Sequence, residues 1–333
     1  MTSQIQRQTA VEWNPACLTP PTAPPKKRTY FKSLVVGLVL SVLLVGACSA
    51  ESGNGGGTAQ SQTPPPTALS VQEYATALAD ALDPLESALQ SLAKAKTYKG
   101  LNDRVASVET AADQAVTELS PITPPAELAA EHSQLVKALQ AFHGELGDLG
   151  SQVGDRALCT GSAVQAGLGD ADGTSALRDA LAAVSAKLPK PRPALTLPAA
   201  DQKVGSRPPN GKLIRAGNRD GQSALEIDNG GSNDAVVTLS KGSKPAISVY
   251  VRKNKTTTVE GVPNGSYTVF FTFGAAWDAS ARAFGRNCAF QRFRPGGEDQ
   301  LTFQNQGWVI TLQRVAGGNS PTDDVDPNDF PDS

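Results

Sequence analysis

Few side chains in this chain are equipped for chemistry, and their spacing narrows what they can do. The 333 residues include two histidines and four cysteines. His132 and His143 stand eleven positions apart, which on one helix separates them by about 16 Å along the axis. Every donor to a zinc ion must lie within about 2.1 Å of it, so these two imidazoles cannot share a metal. His132 falls on an apolar stripe and reads as a hydrogen-bonded core residue, whereas His143, beside Phe142, reads as a rim residue. No G-x-S-x-G, H-E-x-x-H or phosphate-loop pattern occurs in the sequence, so the linear signatures of acyl transfer, zinc hydrolysis and nucleotide binding are missing. Carboxylates are harder to dismiss, because two acids from distant loops can do glycosidase-like work with no linear motif. Asp170-Ala171-Asp172-Gly173 and Asp324-Val325-Asp326-Pro327-Asn328 each match part of a calcium-loop pattern. The second has Asp329 where the sixth-position glycine belongs. Both read as solvated acidic segments. This inventory favours a protein that is not an enzyme and calls for no metal or cofactor.

The surroundings of Cys48 are more specific. Lys26, Lys27, Arg28 and Lys32 give a basic start, Leu34 to Ala47 supplies fourteen apolar or small residues, and Val45-Gly46-Ala47-Cys48 closes the run. At about 1.5 Å per residue the run reaches about 21 Å, short of a ~30 Å hydrocarbon core, which fits a secretory signal better than a spanning helix. The segment resembles a bacterial lipoprotein signal peptide. That resemblance implies cleavage before Cys48, a diacylglyceryl group on its thiol and further acylation of the freed amine. Residues 1–47 are then a signal peptide with a long Pro/Thr-rich preamble, and the mature protein is exported and anchored in membrane lipid through acylated Cys48. One acyl chain binds only marginally; two or three hold stably. Residues 48–66 follow as a tether, a Gly/Ser stretch and then a Pro run, spanning about 23 Å as a coil. With Cys17 lost with the signal and Cys48 acylated, Cys159 and Cys288 remain. The exported compartment permits them to pair, and two separate buried thiols are the alternative.

The 286 residues from Cys48 onward are too many for one small core and suit two domains. Residues 67–188 read as an antiparallel helix bundle. Ser70 and Glu73 form a capping box, and Val71, Tyr74, Leu78, Leu82, Leu85, Leu89 and Leu92 step by threes and fours along one stripe. Pro84, flanked by Asp83 and Glu86 as a second cap pair, predicts a kink or short break. Further stripes start after Gly100, at Pro124-Pro125 and at Thr174, and glycines at 144, 147 and 150 weaken the far end of the third. Residues 152–168 carry no pattern that decides between helix and loop. Residues 189–210 hold six prolines and read as an extended linker.

Residues 211–316 change character. Seven short β-branched or aromatic runs separated by Gly, Asn and Pro suggest an antiparallel β-sandwich. Tyr267, Val269, Phe271 and Phe273 share one face, as do Trp308, Ile310 and Leu312. Within this region TTTVEGVPNGSYTVFF, Thr256 to Phe271, resembles the G-[IV]-P-x-G-x-Y hairpin of carboxypeptidase-regulatory-like and transthyretin-like β-sandwiches. Pro263 presets one turn dihedral and Gly265 tolerates positive φ, which is the mechanical reason such a motif joins two strands. The resemblance implies a module that adheres, binds or spaces rather than one that catalyses.

Charge divides along the same boundary. Residues 66–188 carry eight Lys/Arg against sixteen Asp/Glu, residues 211–316 thirteen against eight, and the acidic tail of residues 317–333 five Asp and no base. This asymmetry predicts docking of an acidic helical domain on a basic sandwich, with Cys159 and Cys288 as a candidate lock. Arg286, Arg292 and Arg294 interleave with Phe290 and Phe293, a pattern that can suit nucleic acid, but the exported address argues against a nucleic-acid partner and for solvated strand faces. The function expected is therefore a membrane-anchored, exported lipoprotein acting as a binding or structural adhesion module at the cell surface, with an unidentified protein or polysaccharide partner. Shallow exposed aromatics such as Tyr250 or Trp277 would mark that use, and clustered carboxylates in a pocket the alternative, an extracytoplasmic glycosidase-like hydrolase. Replacing Cys48 with Ala is expected to abolish incorporation of a fatty-acid probe and to leave residues 1–47 attached. A wild-type chain that takes up no label and keeps those residues overturns the anchor.

Overall fold

The computed structural model describes residues 5–6, 67–190, 195–313 and 321–331. Cys48 and the tether lie outside them, as does the apolar run before Cys48. The described residues are α+β, with five α-helices and two sheets.

The helices are α1 (Val71–Ala93), α2 (Leu101–Leu119), α3 (Ala129–Gly154), α4 (Gly161–Gly169) and α5 (Asp172–Lys187). Their apolar stripes close over one core. At the start of α1 the capping box is complete: the Glu73 amide donates to Ser70 Oγ at 3.3 Å and the Ser70 amide donates to Glu73 at 2.8 Å. Of the kink or short break expected at Pro84, the break does not occur: α1 continues through it as one helix. An interior proline costs about 3 kcal/mol, yet Leu78, Leu82, Leu85, Leu89 and Leu92 are all at most 3 % exposed, and each buried Leu returns about 1.5–3 kcal/mol. Burial wins by a wide margin. The same argument carries α3 past its glycines to Gly154. The undecided stretch holds α4, capped by Thr160 Oγ1, which accepts the Ala163 amide. Among the described residues no helix is long and apolar enough to cross a membrane.

Eleven strands are described: β1 (Ile5–Gln6), β2 (Leu213–Arg215), β3 (Ser223–Asn229), β4 (Asp234–Lys241), β5 (Lys244–Val251), β6 (Lys255–Val262), β7 (Gly265–Asp278), β8 (Ala283–Phe293), β9 (Leu301–Phe303), β10 (Gly307–Thr311) and β11 (Thr322–Asp324). One sheet has the order β1-β10-β3-β6; the other has β11-β8-β7-β4-β5-β2, with β9 on β7. The seven runs expected from sequence are all strands, and β1, β2, β8 and β11 are additional. Pairing is not purely antiparallel: β10 lies parallel to β3, because the chain reaches it only after crossing the other sheet, a connection no tight hairpin could make. Residues of both sheets share one core, Ile227, Val259 and Ile310 from the first meeting Val237, Phe271 and Phe273 from the second. A second cluster, Val236, Tyr250, Trp277 and Phe284, covers the opposite face of the larger sheet. Strand β4 is therefore buried along nearly its whole length, Thr238 and Ser240 included.

The outer edge of β8 is closed by two separate pieces of chain. Residues 156–159 pair with its first half: the Cys159 amide donates to the Gly285 carbonyl, and the Asn287 and Cys288 amides donate to the Ala157 and Arg156 carbonyls, at 2.9–3.2 Å. Strand β11 pairs with its second half, Thr322 opposite Phe293 and Asp324 opposite Gln291. The acidic tail is thus not free. Asp323 binds Arg292 and Arg294, and Phe330 meets Phe270 and Phe290 edge-on. Nor is the proline-rich segment a bare linker. Over residues 195–210 it lies against both parts, with the Thr196 amide on Glu86, Arg178 on the Pro198 carbonyl and the Ser206 amide on the Trp277 carbonyl.

Charge does not dock the helices on the sheets, since the ion pairs among the described residues each fall within one part or on the connecting segment. Backbone pairing, a Cys159–Cys288 disulfide and a Ser162 hydroxyl donating to Asp278 do so instead. Exposed ion pairs are worth only about 0–1 kcal/mol each, whereas a disulfide closing a long loop is worth about 2–5 kcal/mol. Replacing both cysteines with Ala is expected to lower the unfolding free energy by that amount, measured as a fall in denaturant midpoint without reductant. An unchanged midpoint would mean that strand pairing alone holds the two parts together.

Candidate functional site

Cys159 and Cys288 are bonded, with Cα atoms 6.3 Å apart, and both are buried. Beside them a cleft walled by Tyr98, Phe284, Phe290 and Phe330 offers about 40 Å³. That admits a few waters and falls far below the about 300–1,000 Å³ typical of ligand sites. The disulfide region is a seam.

The two histidines do different things. His132 is 7 % exposed and its Nδ1 lies 3.1 Å from the Tyr74 hydroxyl. Burial lowers its pKa and favours the neutral ring. Tyr74 is pushed up to about 12, chiefly by burial and then by Glu131. His143 sits half-exposed with its Nε2 4.0 Å from Glu109. Asp170 caps the amide of Asp201 and Asp172 opens α5. Asp326 binds its own neighbour Asn328, and Asp324 accepts from Gln291. The arginines expected on a solvated face are partly spoken for, since Arg292 and Arg294 both approach Asp299 as well as Asp323. Tyr250 and Trp277, whose exposure would have marked a shallow binding face, are buried at 1 % and 2 %. Their rings stack edge-on at 5.5 Å, and the connecting segment runs against them through backbone bonds from Ser206 to Trp277 and between Gly211, Lys212 and Tyr250.

Two carboxylates are held firmly, and both serve as acceptors for structure. Asp278 takes hydrogen bonds from Ser162, Ser280 and the Ala281 amide. Asp234 takes four: Arg207 forks onto both its oxygens at 2.8 Å, the Tyr250 hydroxyl donates at 2.6 Å and the Lys253 amide at 2.9 Å. Burial alone would raise the Asp234 pKa, but the bonds from Arg207, Tyr250 and Lys253 outweigh it and hold it at about 2. With its lone pairs engaged, Asp234 fastens the connecting segment to β4 and β5 and is not a free base for glycosidase-like work.

Ligand-sized space occurs elsewhere. An open trough of about 520 Å³ between α1 and α2 is lined by small side chains and one charge, Asp103. A groove of about 400 Å³ lies between the β4–β5 and β6–β7 hairpins, with Arg215, Lys241, Pro245, Pro263 and Tyr267 among its walls. The GVPNGSY segment builds one side. The Tyr267 hydroxyl donates to the Pro263 carbonyl at 3.0 Å, and Lys241 Nζ stands 4.8 Å over the Tyr267 ring. Gly217 builds the other. Its φ is +56°, and a Cβ there would collide with the Ala246 carbonyl oxygen, so glycine alone lets this loop close on β5. Sequence reasoning had the motif and the basic excess separately; what joins them is the return of β2 alongside β5, a strand too short to read.

The chain matches no family model, no curated protein and no solved structure. The Asp234 cluster sets an expectation for acid behaviour. An unfolded Asp titrates near 3.9, so a folded value of about 2 contributes stability that is fully present above about pH 4 and is lost as pH falls toward 2. Asp234→Asn is expected to cost about 1–3 kcal/mol at neutral pH and to flatten the melting-temperature profile between pH 4 and 2. A variant with the wild-type acid slope would assign that slope to other groups.

Proposed function

We propose that this chain is an exported lipoprotein anchored through acylated Cys48, and that it serves as a binding or structural adhesion module at the cell surface. In this reading a helix bundle stands next to the tether and holds out a β-sandwich of the carboxypeptidase-regulatory-like and transthyretin-like kind. The observation that carries it is the Cys159–Cys288 bond, because disulfides form and persist in oxidising, exported compartments. It agrees with the signal-like run before Cys48, which rests on entirely different residues. The hairpin supports the sandwich assignment, since Gly265 takes φ +141° and Tyr267 ties back to Pro263. Processing before Cys48 would also remove β1, which pairs with β10 at Gly307 and Trp308, and leave β10 as an edge strand in the mature protein.

Intact cells test the reading. A membrane-impermeant maleimide is expected to leave Cys159 and Cys288 unmodified until a reductant is added, while detergent alone releases the protein from the membrane fraction. Modification without reductant only after cell lysis would put both cysteines in the cytoplasm and sink the proposal.

A further inference from the structure

We propose that the groove between the β4–β5 and β6–β7 hairpins binds a phosphate group through Arg215 and Lys241. The space is ligand-sized at about 400 Å³, and its charge is unbalanced. Among the described residues neither Arg215 nor Lys241 is in an ion pair. Lys241 faces Lys244 directly across the β4–β5 register, and like charges opposite one another destabilise an antiparallel pair unless an anion offsets them. Among the described residues Arg215 Nε is buried with no hydrogen-bond acceptor. It is one prong of the planar fork by which arginine takes an oxyanion, and a buried donor left unmade is costly. The two cations that line the groove play different parts in taking a phosphate, Arg215 as an oriented fork and Lys241 as a point charge, and Lys244 adds positive charge from the neighbouring strand. The walls are fixed in advance: Tyr267 is tied to Pro263, Lys241 is steadied over the Tyr267 ring, and Gly217 seats the loop on β5. Little ordering remains to oppose binding.

The inference rests on the sheets being a binding module and not on the anchor, so a chain that fails to take up a lipid label at Cys48 can still bind phosphate. The full chain in a neutral detergent is titrated calorimetrically with inorganic phosphate and with glycerol phosphate. Flotation with phosphatidylglycerol vesicles, against phosphatidylcholine vesicles as the background set by the anchor, reads the headgroup form of the same chemistry. Saturable binding is expected, weakened about tenfold or more by Arg215→Ala, weakened several-fold by Lys241→Ala, and unchanged by Lys137→Ala, which removes the same charge from α3. Arg215→Lys keeps the charge without the fork and is expected to fall near Arg215→Ala; with Lys241→Ala it decides the matter if Arg215→Ala does not fold. Binding of the soluble phosphates alone assigns a small ligand, and excess flotation with phosphatidylglycerol assigns a lipid headgroup; either supports the site. Equal weakening by all three alanine variants, or no saturable binding of any probe, overturns it.

Discussion

An eleven-residue strand with an open side is a hazard that a fold must resolve, and β8 has one. Its inner side pairs with β7; its outer side would otherwise present a row of unpaired amides and carbonyls to any passing strand. The chain closes it twice, with residues 156–159 from the helical part and with β11 from the far C-terminus. Much else in the molecule follows from this. The first closure brings Cys159 to Cys288, aligns α4 so that Ser162 meets Asp278, and presses Tyr98 toward Phe290 at 6.1 Å. The second brings Asp323 to the arginines and lays Phe330 over the aromatic surface of β7 and β8. The two parts are joined because one of them completes a sheet of the other.

That arrangement explains which features could be read from residues alone. Helices whose stripes are local and whose caps are explicit, such as Ser70 with Glu73, are legible because every determinant lies within a few positions. So are strands whose alternation is strong, such as the face of Tyr267, Val269, Phe271 and Phe273. Strand β8 escaped because AFGRNCAFQRF mixes charge with aromatics, and because its register with β7 shifts between Phe273 and Ala275, which interrupts the period. Helix α4 escaped because glycines occupy three of its nine positions, though Thr160 as a cap was a usable signal. At Pro84 the helix continues without a break because burial on both sides outweighs the local penalty.

The candidate site shows the same division. The hairpin motif supplied Pro263, Gly265 and Tyr267, but no spacing rule links them to Arg215 or Lys241, which arrive from other strands. Tyr250 and Trp277, aromatics whose exposure would have marked a binding face, are instead covered in part by a connecting segment whose prolines suggested an extended linker. Packing of that segment against Glu86, Arg178 and Trp277 could not be seen without knowing where each of them stands.

The parallel pairing of β3 with β10 has a consequence for how the molecule comes into being. Ala224 must wait for Gly307, 83 positions further along, before its sheet can exist, and such distant pairings form slowly. A chain made from its N-terminus can finish the five described helices before the sheet residues arrive. The sheets close only when the last strands have arrived. Cys159 therefore waits as a thiol in a completed helical half until Cys288 reaches it, and the interval between those two events is when this protein is most exposed to the wrong partner.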